Sequence, residues 1–480
     1  MKVYMAPCGV GLGHITRCEP IARELSKHGV EVVFSTYGDA IGYAERMKLK
    51  TVRTVPIYIR VRRDGSVDFK QTATRSGLSL GVRTFIRQVL AEIRNLKAFK
   101  PNLVFSDSRA STLIAAKLLR IPTILMLNQY KVNIIRKQSA RRISLGDRAF
   151  FFIANTSWVF FRTLLQGVWS LSDQVLIPDF PPPYTVSLGN LAIPERYRHK
   201  VRLVGPVVTA SPSKISHSAT EIREDHGLDS VKPLVYIAVS GPKVERRFLA
   251  HLMESEICKE AFNCLFVMSR GEASGTEDPT KHGELVTFDW LEEEFQYEIL
   301  KACNLVVSRA GHGMIMKAMT FGKPMILVPI PDHTEQYGNA ERVERLGLAK
   351  ILDQSEVKSD NLKTAINDVL ASKDASAIGH EISLFAEQLN TVNEVSALIL
   401  SRIGNLEGSP RWTTQPEGAR LSVDLPRPTS TMKLCPKITP VHAEGPTTSR
   451  LLRNQNNHRL DISFQTPQSR LSEVQPRVCR

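Results

Sequence analysis

LVVSRAGHGMIMKAMTFGKPMILVPIPDHTEQYGNAERVERLG, residues 305–347, alternates short apolar runs with helical intervals. Leu305–Ser308 is an apolar run of strand length that passes straight into a glycine-rich turn, SRAGHG, and then into a helical pattern. A second apolar run, PMILVPI at 324–330, follows that helix. Strand, tight turn, helix and strand in this order make a βαβ unit, and repeated βαβ units make a parallel sheet.

The same rhythm extends through most of the chain, so the fold class is α/β. Toward the N-terminus, VYMAP (3–7), a helix over 14–27 and VEVVFST (30–36) form one unit, and LVFSD (103–107), a helix over 111–119 and PTILML (122–127) form another. A second series runs through LVYIAV (234–239), CLFVM (264–268), LVTF (285–288), LVVS and PMILVPI. Two doubly wound, Rossmann-like domains are expected, 1–205 and 206–403, with the chain crossing between them near Gly205 and Pro206. A last helical pattern from Ser383 to Ile403 either closes the second domain or crosses back to the first. From 404 to 480 the chain holds 9 of the 27 prolines, with 11 Lys or Arg against 6 Asp or Glu from 405 on, and no apolar periodicity. That composition reads as a disordered, basic tail.

At 480 residues, with 42% hydrophobic and 23% charged side chains, the chain has the composition of an ordinary globular protein. Its 7 cysteines lie at 8, 18, 258, 264, 303, 435 and 479, without a CxxC pair or histidines at metal-ligand spacing. A disulfide framework and a zinc site are disfavoured, and a reducing cytoplasm fits better. The N-terminus reads as a β-strand rather than a secretory leader. A net charge of +15 implies an anionic partner: a nucleotide diphosphate, a nucleic acid or a lipid surface. No nucleic-acid-binding motif accompanies the charge, which disfavours that partner.

Two loops carry the chemistry. GVGLGH (9–14) lies between a strand and a helix, where Gly11 and Gly13 let the backbone approach a ligand and the helix start offers free N–H groups to an anion. The spacing is not GxGxxG and no acid ends the second strand, so nicotinamide binding is disfavoured. His14 stands at the carboxyl edge of the sheet, as a general base or as a loop-stabilising cap. Asp107, at the end of LVFSD, either partners that histidine or serves local turn chemistry. In SRAGHG, the N–H groups of residues 311–314 suit a diphosphate, with Arg309 supplying charge nearby. Glu335 and Gln336 offer acceptor and amide groups to sugar hydroxyls, or belong to an ordinary surface loop.

Together these stretches resemble the GT-B glycosyltransferases, two facing doubly wound domains with the active site between them. The order Ser-Arg-x-Gly, Gly-Lys-Pro, an apolar strand and Gln-Tyr-x-Asn-Ala closely resembles glycosyltransferase family 28, whose best-known member is the lipid-linked N-acetylglucosaminyltransferase of peptidoglycan synthesis. GLGHITRCEPIARELSKHG (11–29) is similar to the family's acceptor-side loop, especially in archaeal-looking members. The resemblance covers residues 1 to about 403. It implies a UDP-sugar as co-substrate, without cofactor or metal: the base meets the backbone from Phe288 to Trp290, the diphosphate meets the loop of Gly311, His312 and Gly313 beside Arg309, and the sugar meets Glu335 and Gln336, with Asn339 also on the donor side. It implies inverting transfer of a sugar, N-acetylhexosamine in the family, with His14 as base.

Two positions depart from the family pattern: Met314 stands where a Thr is usual, and Lys317 where a Glu holds the ribose. A lysine accepts no hydrogen bond. A degenerate GT-B partner subunit and a UDP-sugar 2-epimerase are therefore the competing readings. On the acceptor side, residues 134–171 join Arg136, Lys137, Arg141, Arg142 and Arg148 to an apolar run. This suits docking on an anionic membrane that carries a lipid-linked or envelope acceptor, at the inner face of the cell membrane, or else a buried helix after a basic loop.

Overall fold

The computed structural model describes residues 1–57, 62, 78–130, 162–191, 193–276 and 278–404. The tail from 405 and the basic stretch 134–161 lie outside the described residues.

Two sheets of 7 strands organise the described chain. The first contains β1 (Lys2–Pro7), β2 (Glu31–Thr36), β3 (Thr51–Arg53), β4 (Leu103–Asp107), β5 (Thr123–Met126), β6 (Gln174–Ile177) and β7 (Val201–Leu203). Its spatial order is β3-β2-β1-β4-β5-β6-β7, with every pairing parallel. The second contains β8 (Leu234–Ala238), β9 (Leu265–Ser269), β10 (Thr280–His282), β11 (Leu285–Phe288), β12 (Leu305–Ser308), β13 (Met325–Leu327) and β14 (Ala349–Ile351), in the order β10-β11-β9-β8-β12-β13-β14. Only β10 runs antiparallel, against β11. Strands β4, β5, β8, β9 and β12 are buried along their whole length, as helices on both faces of a parallel sheet require.

Eight helices position the site or close the fold: α1 (Gly13–Lys27), α2 (Asp39–Arg46), α3 (Leu78–Phe99), α4 (Lys243–Ile257), α5 (Glu293–Ala302), α6 (His312–Thr320), α7 (Thr334–Arg345) and α8 (Thr391–Gly404). In α1, Ile15, Cys18, Ile21, Ala22 and Leu25 recur at helical spacing and are buried against the first sheet. Val395, Ile399 and Ile403 of α8 enter that same core. The last helix thus crosses back to the first sheet.

The single helical pattern expected from Ser383 to Ile403 is two helices, Lys373–Ala386 and Thr391–Gly404. Polar anchoring breaks it. The Glu387 carboxylate accepts from Ser211 Oγ at 2.7 Å and Ser213 Oγ at 2.5 Å, and Thr391 Oγ1 donates to the Val204 carbonyl at 2.7 Å. The two chain crossings therefore lie side by side. Gly205 has φ 88°, and a Cβ there would stand 2.5 Å from Thr391 Oγ1, so the close approach needs a glycine.

Strand order reverses direction between β1 and β4 in the first sheet and between β8 and β12 in the second. In doubly wound sheets a crevice opens beyond the carboxyl ends of the strands at such switch points. Here the two crevices share one cleft.

Candidate functional site

The cleft has a volume of about 740 Å³ and is lined by loops that follow β1, β2, β8, β9, β11, β12 and β13. Helix starts supply much of its lining: residues 11–14 before and within α1, 241–245 at α4, and 311–314 at α6. Neither α1 nor α6 has a side-chain cap, and first-turn N–H groups without intrahelical partners favour an anion.

Glycines allow these loops to meet. A Cβ on Gly9 would fall 1.9 Å from the Tyr37 carbonyl oxygen, and one on Gly38, at φ 62°, 2.7 Å from that of Gly9. Gly11, at φ 68°, packs across the cleft with its added Cβ position 3.5 Å from the Gly241 carbonyl carbon. Gly13 has open space beside it, with nothing within 4 Å of a Cβ there, so sterics do not demand glycine at that position.

On the first sheet's side, His14 Nδ1 lies 2.8 Å from Asp107 Oδ1. The imidazole is 24% exposed in the cleft, while Asp107 is fully buried at the end of β4. Arg17, one turn along α1, donates from Nε and Nη2 to the two carboxylate oxygens at 2.5 Å each. Burial opposes ionisation of Asp107, yet the charge of Arg17, then that of His14, holds its carboxyl well below the usual range. A permanently ionised Asp107 fixes the imidazole orientation and leaves Nε2 as the ring nitrogen not engaged by the carboxylate.

The residues of the second domain divide into cleft-lining and bracing groups. Glu335 lines the cleft and its Oε1 accepts from Asn128 Nδ2 at 2.7 Å. Gln336 lines it too, with Oε1 tied to the Ile330 N–H at 3.0 Å. Trp290 lines the cleft but is only 9% exposed, packed 5.9 Å from the Tyr43 ring and beneath the Arg46 guanidinium, so its side chain joins the two domains. Phe288 packs edge-on against Phe295 and contributes no lining.

Three residues expected at the ligand hold the loop instead. Arg309 is fully buried beneath the loop, donating to the carbonyls of Val328 at 3.2 Å and Pro329 at 3.5 Å and to Gln354 Oε1 at 2.7 Å. Its charge reaches the cleft only through the protein. The His312 ring is 4% exposed, with Nε2 3.3 Å from Asp179 Oδ2, so this residue offers a ligand its backbone. Asn339 is 1% exposed, donates to the Ala310 carbonyl at 3.2 Å and accepts from Asn190 Nδ2 at 3.0 Å. Each spends its polar atoms on carbonyls or the other domain because the turn after β12 is buried on its sheet side.

Met314 and Lys317 both line the cleft. Lys317 Nζ donates to Gln296 Oε1 at 2.6 Å and lies 3.5 Å from Glu293 Oε1 and 4.9 Å from the Tyr297 ring centre. The lysine is therefore engaged by α5, and a cleft ligand meets a lysine, amide and carboxylate together. Among the described residues no group of three or more His, Cys, Asp or Glu side chains could hold a metal ion.

Sequence reasoning missed Asn128 and the SGPKVE segment after β8. The latter repeats the strand, glycine turn and helix pattern, with proline just before the helix, and that signal could have found it. Glu245 in its first helical turn is 2% exposed, lines the cleft, and has Oε2 without a hydrogen-bond partner. Burial pushes its carboxyl up to about 7, with the charge of Arg309 opposing and that of Asp39 adding.

Comparison with known proteins agrees with this fold. Residues 248–393 match the glycosyltransferase family 28 C-terminal domain. An "uncharacterized glycosyltransferase" of Methanosarcina acetivorans is 27% identical over 379 residues, spanning 77% of this chain and 90% of its own. The UDP-N-acetylglucosamine–N-acetylmuramyl-(pentapeptide) pyrophosphoryl-undecaprenol N-acetylglucosamine transferase of Geobacillus thermodenitrificans is 28% identical over 211 residues, 42% of this chain and 57% of that one. Among solved structures, the calicheamicin glycosyltransferase CalG4 superposes with a TM-score of 0.55 at 14% identity, covering 84% of this chain and 98% of its own. The spinosyn rhamnosyltransferase SpnG, complexed with thymidine diphosphate, gives 0.53 at 16% identity, covering 83% and 100%. The molecule is a glycosyltransferase with the GT-B architecture. Its second domain carries the stretch that matches the glycosyltransferase family 28 C-terminal domain.

Glu245 yields a pH test. Unfolded, its carboxyl ionises near 4.5; folded, near 7. Between these values the folded state keeps a proton that the unfolded chain has lost, so stability falls as pH rises through this window. Glu245→Gln removes the titration, and its unfolding free energy relative to the native chain should rise by about 3 kcal/mol from about pH 4.5 to about pH 8. Urea unfolding at a series of pH values measures this; a difference that stays flat contradicts the assignment.

Proposed function

We propose that this protein is an inverting, metal-independent glycosyltransferase that moves a sugar, N-acetylhexosamine, from a UDP-sugar to a lipid-linked or cell-envelope acceptor. The observation that carries this reading is the His14–Asp107 pair, held in the same cleft as the start of α6.

In the proposed reaction His14 Nε2 takes the proton of the acceptor hydroxyl as that oxygen bonds to the anomeric carbon. The bond from that carbon to the diphosphate oxygen breaks, and UDP departs with the electron pair. The backbone N–H groups of 311–314 and the positive end of α6 meet the growing charge, and the charge of buried Arg309 lies behind them. Glu335 and Gln336 receive the sugar hydroxyls, while Glu293 and Gln296 supply the ribose acceptors that Lys317 lacks. The similarity to the pyrophosphoryl-undecaprenol transferase supports the lipid-linked acceptor and the N-acetylhexosamine donor.

A peripheral position on the inner face of the cell membrane follows from the same reading. The basic run 134–161 is outside the described residues, and within 162–171 Leu165, Val168 and Trp169 pack into a buried cluster with Tyr130. Helix α3 carries the better surface. Val82, Ile86 and Leu90, at i, i+4 and i+8, are 45%, 51% and 60% exposed. Arg83, Arg87, Arg94 and Lys97 stand exposed around them, and the helix's only acid, Glu92, is buried. This is an interfacial pattern for anionic lipid. Gln88 of α3 donates to the Val55 carbonyl at 2.7 Å, beside the Pro56 and Ile57 that line the cleft, so the stripe borders the acceptor entrance. No helix of the described residues is long and apolar enough to cross a membrane.

With UDP-N-acetylglucosamine and a polyprenyl-pyrophosphoryl sugar, the protein should release UDP, and His14→Ala should slow release by on the order of 10²–10⁴-fold while leaving UDP affinity unchanged. Native turnover by that variant overturns the catalytic reading. Ile86→Asp with Leu90→Asp should abolish co-sedimentation with vesicles containing phosphatidylglycerol; undiminished binding removes α3 from the membrane account.

A further inference from the structure

A line of direct side-chain contacts joins the two walls of the cleft. Arg17 grips both oxygens of Asp107 through Nε and Nη2. Its Nη1 and Nη2 also donate to Asn128 Oδ1 at 3.4 and 3.3 Å. Asn128 Nδ2 donates onward to Glu335 Oε1, in the first turn of α7, at 2.7 Å. Arg17, Asp107 and Asn128 are 9%, 0% and 7% exposed, so water competes little for these bonds. Only one orientation of the Asn128 amide serves both neighbours, because a guanidinium only donates and a carboxylate only accepts.

We propose that Arg17 and Asn128 are positioning residues, a rigid strut that fixes the general base relative to the residue that holds the donor sugar; this rests on the roles of His14 and Glu335 given above. Arg17 sets the Asp107 carboxylate and, through it, the His14 ring. The same guanidinium sets the Asn128 carbonyl, and the Asn128 amide takes one Glu335 oxygen, leaving the other for a sugar hydroxyl. The acceptor oxygen and the anomeric carbon are then brought to reacting distance by parts that share one side chain. A strut in this place changes the rate of the chemical step far more than ground-state binding of the nucleotide, since only the reacting geometry depends on it. Arginine is required for this role: lysine would keep the charge beside Asp107 but lacks the planar fork that reaches Asn128 as well.

The test compares Arg17→Lys, Asn128→Ala and the double variant, each assayed for kcat with UDP-N-acetylglucosamine and for affinity to UDP alone. Each single change should lower kcat on the order of 10²-fold with UDP affinity within about two-fold of native. The double variant should be no worse than the poorer single, because both remove one strut. His14→Ala and Glu335→Ala serve as references. The strut is overturned if Arg17→Lys or Asn128→Ala turns over like the native chain while His14→Ala is inert, if the two losses multiply, or if UDP affinity falls in step with kcat, which marks a general structural role. If His14→Ala itself remains active, the catalytic reading underneath has failed instead.

Discussion

Asp107 is a carboxylate with no exposed surface at the end of a buried strand, and residues of α1 are placed to keep it ionised. An isolated charge there would cost several kcal/mol, and removing one partner of such a pair typically costs about 3–5 kcal/mol. Arg17 meets that demand with a two-point grip, and in doing so ties α1 to the strand on the far side of the switch point. His14, three residues earlier on the same helix, is carried to the same carboxylate. Stability and the orientation of the His14 imidazole thus come from one buried carboxylate and its partners.

The second constraint is how closely two parallel sheets bring their carboxyl ends together. Gly9 and Gly38 allow backbone contact within the first domain, and Gly11 faces Gly241 across the cleft. The far side is closed by polar pairs: His312 with Asp179, Asn190 with Asn339, Asn128 with Glu335. On the near side, α2 meets the second domain through Arg46 and Glu292, 2.7 Å apart, and through Tyr43 against Trp290. Polar contacts of this kind hold two domains in register while leaving a polar crevice between them. The helix starts that line it favour an anionic ligand there.

Much of this was legible in the chain. LVFSD, LVTF and LVVS match their strands residue for residue because buried parallel strands read as unbroken apolar runs. Strands of three residues such as Thr51–Arg53 and the exposed Thr280–His282 carry no such run and were invisible. Residues 383–403 read as one helix because periodicity does not report that Glu387 and Thr391 are tied to the other crossing. In the site, glycine turns after strands pointed to the right loops, but charge type did not reveal direction. Arg309, His312 and Asn339 stand in or beside those loops and turn their side chains into the protein. Asn128 is a single polar residue with no motif around it, and only the fold brings it to the cleft, whereas Glu245 opens a helix after a strand and a glycine turn, the pattern the other two loops share.

The proposed occupant of the cleft is a nucleotide sugar, seated between the two glycine loops. Thermal unfolding of the protein with UDP-N-acetylglucosamine, UDP-glucose and a thymidine-diphosphate sugar tests it directly, since a ligand that binds only the folded state raises the midpoint by mass action. A midpoint that climbs with UDP-N-acetylglucosamine concentration, and climbs less when Gly311→Asp sets a carboxylate beside the α6 N–H groups, is the expected result. A midpoint that no nucleotide sugar moves at any concentration contradicts the account.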